Sequence, residues 1–121
     1  MYEYMACCTN VVDGDTVDLL IDLGFRQYTH QRIRLLGVNA PEMNSKDEVV
    51  RKKALEAKEF VVIVLSPRLS SIPGSFPLRI QTTKADSFGR YLSKIWYHQT
   101  ADVEVELGAK LLELKLAEPY T

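Results

Sequence analysis

The feature that most limits what this chain can fold into is the stretch VVDGDTV at residues 11–17, followed by strict alternation as far as Leu23. Asp-Gly between two apolar stretches is a strong short-range hairpin signal. The pattern predicts a first strand over 2–12, a turn at Asp13-Gly14 and a second strand over 15–23. That second strand puts Val17, Leu19, Ile21 and Leu23 on one face and Thr16, Asp18, Leu20 and Asp22 on the other. Asp15 has the parity of the apolar face. A carboxylate facing a core is costly unless something pairs with it, so a partner is expected for Asp15.

A third strand is predicted over 29–39; it carries Arg34 and is apolar on both faces toward its end, as in a covered sheet. Pro41 ends it. Ser45-Lys46-Asp47-Glu48 has capping-box spacing and opens a helix expected to reach about residue 65, with Val50, Ala54, Ala57, Val61 and Val64 inward and Leu55, Lys58 and Leu65 beside them. The segment SPRLSSIPGSFP at 66–77 reads as a loop. Strands over 78–83 and 91–97 flank the glycine-containing turn KADSFGR, and an amphipathic helix is expected over 104–117, with Leu107, Leu111, Leu114 and Leu112 inward. Three strands, a helix, two strands and a helix predict an α+β fold: a five-stranded OB-type Greek-key β-barrel with two packed α-helices. A chain of 121 residues suffices for one such domain, 1–121, expected to act as a monomer.

Composition is that of an ordinary globular protein, with net charge −1 and no global basic field. The charge is unevenly distributed: −3 over residues 1–44, +5 over 45–97 and −3 over 98–121. A basic middle beside acidic ends is compatible with phosphate contact near an acidic metal site, and part of it is the solvated face of the helix from Lys46 to Lys58. Cys7 and Cys8 are adjacent in a strand and so point to opposite faces; they read as packing residues in a reducing compartment. No signal peptide or apolar membrane span is apparent, which predicts a cytoplasmic location. His30 and His98 lack partners at metal-ligand spacing and are expected to face solvent.

The pieces VVDGDTV, RIRLLGVNAPE and DSFGRYL, in this order, resemble the staphylococcal nuclease (thermonuclease) family over about residues 4–120. The resemblance implies a Ca2+-dependent phosphodiesterase site. Arg34 and Arg90 match its catalytic arginines, and Glu42 matches its catalytic glutamate. Asp15 and the main-chain carbonyl of Ala40 match metal ligands, Thr16 sits beside the metal, and Asp13 is the outer aspartate of the turn. Arginine suits such a site because its planar, permanently charged fork donates paired hydrogen bonds to phosphate oxygens. The implied substrates are DNA, RNA or both, preferably single-stranded, cut with little sequence specificity to leave 3′-phosphates.

The chain departs from the family pattern at several positions. Asn39 stands where a second aspartate ligand is expected, which removes one negative charge and predicts weaker Ca2+ binding or tolerance of another divalent ion. Phe88 replaces a tyrosine near the substrate phosphate. Lys115 stands where glycine often ends the second helix. Ending at Thr121, the chain lacks room for a third C-terminal helix, which predicts a compact member, and a short stand-alone chain starting at its own methionine suggests a phage or mobile-element setting. Tyr120 is a candidate for stacking on a base. The alternative reading is a catalytically weak or inactive nuclease-like module that binds single-stranded nucleic acid or a protein partner; a third is a metal-stabilised structural domain.

Overall fold

The computed structural model describes residues 2–65, 76–85, 91–100 and 102–120, with the side chains of 84 and 85 outside the description. Eight strands and two helices are found among them: β1 (Tyr2–Asp13), β2 (Thr16–Gly24), β3 (Gln27–Leu35), β4 (Val38–Asn39), α1 (Glu48–Leu65), β5 (Leu78–Ala85), β6 (Tyr91–Thr100), β7 (Val103–Glu106), α2 (Leu107–Glu113) and β8 (Glu118–Pro119). The main sheet runs β3-β2-β1-β5-β6-β7, and β3 also pairs in parallel with β6 from Ile33–Tyr91 to Leu35–Ser93, so the sheet curls back on itself. This corrects the expected count of five strands to six. The sixth, β7 (Val103–Glu106), arises because residues 104–106, expected to begin the last helix, pair along β6 instead and leave that helix seven residues. A small second sheet, β4 with β8, joins Val38–Asn39 to Glu118–Pro119.

Alternation in β2 places Val17, Leu19 and Ile21 in the core, where they meet Ala6, Cys8, Ile33, Leu35, Leu78, Ile80 and Ile95. Leu23, expected on that face, is 45% exposed because the hairpin has left the core by then. The α1 side chains Ala54, Ala57, Val61 and Leu65, spaced at three and four residues, are buried against the sheet, whereas Leu55 faces solvent. Of the α2 leucines, Leu107 and Leu111 are buried and Leu114 is 44% exposed, because the helix stops before it.

The cap of α1 differs in detail from the capping box predicted at Ser45. The Asp47 carboxylate accepts the Val49 amide at 2.9 Å and is itself the cap, while the Ser45 hydroxyl accepts the Asp47 amide at 3.2 Å. The long third strand predicted over 29–39 is broken at Leu36-Gly37. Gly37 there takes φ +83°, a left-handed conformation that glycine adopts without strain. That break frees Val38–Asn39 to pair with the C-terminal strand.

Candidate functional site

The turn between β1 and β2 is Gly14-Asp15 rather than Asp13-Gly14, with Asp13 paired to Thr16. Two register irregularities in β1, between Cys8 and Asn10 and between Val11 and Asp13, bend the strand as it enters the turn. Gly14 does not have a positive φ; its role is close approach. A Cβ there would lie 2.8 Å from the Ala57 Cβ on α1 and 3.0 Å from the Ala40 Cβ. Three small residues therefore let the turn sink between the helix and the segment after β4, and Asp15 goes with it.

Asp15 is 8% exposed, and its partners are all in place. Its carboxylate accepts the Ala40 amide at 2.9 Å and the Thr16 hydroxyl at 3.0 Å, and its backbone carbonyl accepts the Leu35 amide at 2.8 Å. Thr16 lies directly across the ladder from Arg34. The Arg34 guanidinium reaches to 3.7 Å from the Asp15 carboxylate and donates to Asn39 Oδ1 at 3.1 Å and to the Leu35 carbonyl at 3.3 Å. The Tyr120 ring covers one face of the guanidinium at 4.8 Å, held there by the β4–β8 pairing and by the Tyr120 amide donating to the Gly37 carbonyl at 3.0 Å. Among the described residues these contacts leave three of the five N–H donors of Arg34 without a hydrogen bond.

Asp13 and Asp15 titrate as a pair. Burial, a side-chain hydrogen bond to Asp15 and the Asp15 charge push the Asp13 carboxyl up to about 6. Burial also opposes charge on Asp15, but the hydrogen bonds from Asp13, Ala40 and Thr16 and the nearby Arg34 outweigh it and hold Asp15 below the usual carboxylate range. The ionised member is Asp15, because its oxygens receive the donors.

The structure thus brings together Asp15, Thr16, Arg34, Asn39, Ala40 and Tyr120. Glu42 lies two residues beyond Ala40, is exposed, and its backbone carbonyl accepts the Ser45 amide at 3.3 Å. Arg90 and Phe88 lie outside the described residues. A bound metal would find only hard oxygen donors: the Asp15 carboxylate, Asn39 Oδ1, the Ala40 carbonyl and the Thr16 hydroxyl. These suit Ca2+ or a similar cation in kind. In charge the set is thin, and no group of three or more His, Cys, Asp or Glu is assembled among the described residues.

The model of the family described as Staphylococcal nuclease homologue matches residues 32–117. The chain belongs to this family. The matched segment takes in Arg34, Asn39, Ala40 and Glu42, while Asp13, Asp15 and Thr16 lie on the hairpin before it. A comparison with curated proteins gives no match. As a family member the chain has a nuclease-like domain of a kind that binds nucleic acid. Among the described residues no helix is long and apolar enough to cross a membrane.

Sequence reasoning missed two features of this region. One is the Arg34–Asn39 hydrogen bond, which needs the turn at Gly37 to bring a side chain five positions away back onto the arginine. The other is the contact of Tyr120 with Arg34, which depends on a two-residue strand pairing that no periodicity announces.

Proposed function

We propose that this chain is a divalent-metal-dependent nuclease that hydrolyses phosphodiester bonds in DNA, RNA or both, preferably single-stranded, with little sequence specificity. The curled sheet is read as the OB-type scaffold of a single-domain enzyme. The observation that carries the reading is Arg34: a guanidinium fixed at the end of β3 by Leu35, Asn39 and Tyr120, beside a buried ionised carboxylate, with donors for phosphate oxygens that no described residue engages.

On this reading a phosphodiester lies against Arg34, and Arg90, the second arginine of the family resemblance, supplies a further guanidinium to it. Glu42 accepts a proton from the attacking water as the new P–O bond forms. The bond to the 5′-oxygen then breaks, giving a 3′-phosphate, and the leaving 5′-oxygen takes a proton from solvent to become a hydroxyl. The arginines stabilise the charge that builds on the phosphoryl oxygens. Asp15, Asn39 and the Ala40 carbonyl would hold Ca2+ or another divalent ion, whose charge further neutralises the phosphate. A second reading, a module that binds nucleic acid without cutting, is favoured by one observation: Asn39 Oδ1 is taken by Arg34 and adds no charge to the metal set.

The test is hydrolysis of heat-denatured DNA with Ca2+, with EDTA, and by the Arg34→Ala and Glu42→Gln variants. Metal-dependent cleavage is expected, with Arg34→Ala losing roughly 3 kcal/mol of transition-state stabilisation, on the scale of a lost oxyanion donor. A folded wild-type protein that binds single strands but cuts none at any metal concentration would establish the binding module instead.

A further inference from the structure

A cavity of about 310 Å3 opens against the Asn39-Ala40-Pro41 segment; it shares Asn39 of β4 and Glu118 of β8 with the surroundings of Arg34 and adds walls from α1 and from the turn after α2. Val50 and Lys53 come from α1, Lys115 and Leu116 from the turn after α2, and Glu118 from β8. The volume is at the small end of ligand sites, which begin at about 300 Å3, and so suits one nucleotide-sized group. Lys53 and Lys115 are both exposed, and neither is engaged in an ion pair or side-chain hydrogen bond among the described residues.

Lys115 carries a second signal. It sits at the left-handed position of a Schellman turn, with φ +59°, its amide donating to the Leu112 carbonyl at 3.1 Å and the Leu116 amide to the Leu111 carbonyl at 2.9 Å. Glycine takes this conformation freely and lysine does not. A backbone outlier at a lysine that lines a cavity points to a use for the side chain. Glu118 offsets one of the two ammonium charges, leaving a net +1. That balance matches a phosphodiester, which carries one negative charge, better than a dianionic free phosphate.

We propose that this cavity is a subsite for one nucleotide of a single-stranded chain, adjoining the phosphate at Arg34. Lys53 and Lys115 hold the phosphate of that nucleotide, and Val50 and Leu116 pack against its sugar and base. The proposal rests on the reading that nucleic acid lies across Arg34.

The test uses the full chain carrying Glu42→Gln, so that the probe survives, and measures anisotropy of a labelled single-stranded oligonucleotide across a salt series. Lys115→Gly relieves the backbone and is expected to raise Tm while weakening the oligonucleotide about threefold at low salt; the slope of log K against log salt becomes shallower by about 0.7, one single-strand phosphate contact. Lys53→Ala is expected to weaken binding in the same way, and inorganic phosphate to compete far less well than the oligonucleotide. Unchanged affinity and slope in both variants overturns the subsite, as does inorganic phosphate that competes equally well. Cleavage by the otherwise wild-type chain reads the nuclease proposal separately. Binding through the lysines without cleavage would leave the subsite and overturn the nuclease, whereas lysine variants that bind and cut like wild type would do the reverse.

Discussion

Asp15 stays ionised in a buried turn, against the cost of burial, because the Asp13 carboxyl, the Ala40 amide, the Thr16 hydroxyl and the Arg34 guanidinium face its oxygens. Its neighbour Asp13, half-buried beside that charge, takes up the proton instead. The pair therefore behaves as one titrating unit whose upper step belongs to Asp13 at about 6. A carboxyl whose folded pKa is raised binds more protons folded than unfolded between its ordinary value and the raised one. Its contribution to stability is thus present at about pH 4 and lost as pH rises through 6. Allowing for solvent screening of a half-exposed group, the loss is on the order of 1 kcal/mol. Urea unfolding in metal-free buffer at pH 4 to 7 should display this decline, and Asp13→Asn should flatten it. The lowered pKa of Asp15 acts in the opposite sense, with stability present above its ordinary value and lost in stronger acid. The odd parity of Asp15 was legible in the sequence, since a carboxylate in an apolar alternation needs a partner. That the partner set would include the amide of Ala40, 25 residues away, was not, because nothing local links them.

The elements around the site are placed by small residues as much as by large ones. The β1–β2 turn lies against α1 because Gly14 presents no side chain to Ala57 and Ala40. Gly14→Ala should cost about 1–3 kcal/mol through overpacking and move Asp15 with the turn. Ala57→Gly in the same chain should recover part of the loss in thermal melts, and recovery no larger than Ala57→Gly shifts the parent would sink the explanation. In sequence, Asp13-Gly14 reads as a turn dipeptide chosen for φ. The structure assigns the glycine to packing instead, which sequence cannot disclose because α1 begins some thirty residues later. Strand and helix types were legible from period alone, as for Val17, Leu19 and Ile21 in β2 and Ala54, Ala57 and Val61 in α1. The fate of residues 104–106 was not, because alternating Val and Glu can open a helix pattern or pair along β6, and the neighbouring strand decides.

For the molecule as a whole, three distant segments meet at one place: the β1–β2 turn, the end of β3 with β4, and the C-terminal strand β8. A cation bound by oxygens from the first two would tie them together and so stabilise the folded state by mass action, in proportion to RT ln(1 + [L]/Kd). Tm is expected to rise with Ca2+ concentration above Kd, and Asn39→Asp should shift that rise to lower Ca2+ by restoring a charge to the ligand set. The same substitution converts the Arg34–Asn39 hydrogen bond into an ion pair, so metal-free Tm must be measured alongside. A Tm indifferent to Ca2+ in both proteins would argue against cation binding at these residues.

By itself, the sequence determined that the chain pairs an alternating hairpin with amphipathic helices, that Asp15 sits on an apolar face, and that Arg34, Asn39, Ala40 and Glu42 follow one another along a strand and its exit. Those are consequences of period and order, which short-range sterics and burial enforce. Only the tertiary structure decided that a sixth strand joins the sheet and that Asn39 turns its oxygen to Arg34. It alone brings Tyr120 over the guanidinium and encloses a cavity beside the site with Lys53 and Lys115. These depend on contacts between residues far apart in the chain, where the free energy of closing a long loop is met by packing that no local pattern encodes.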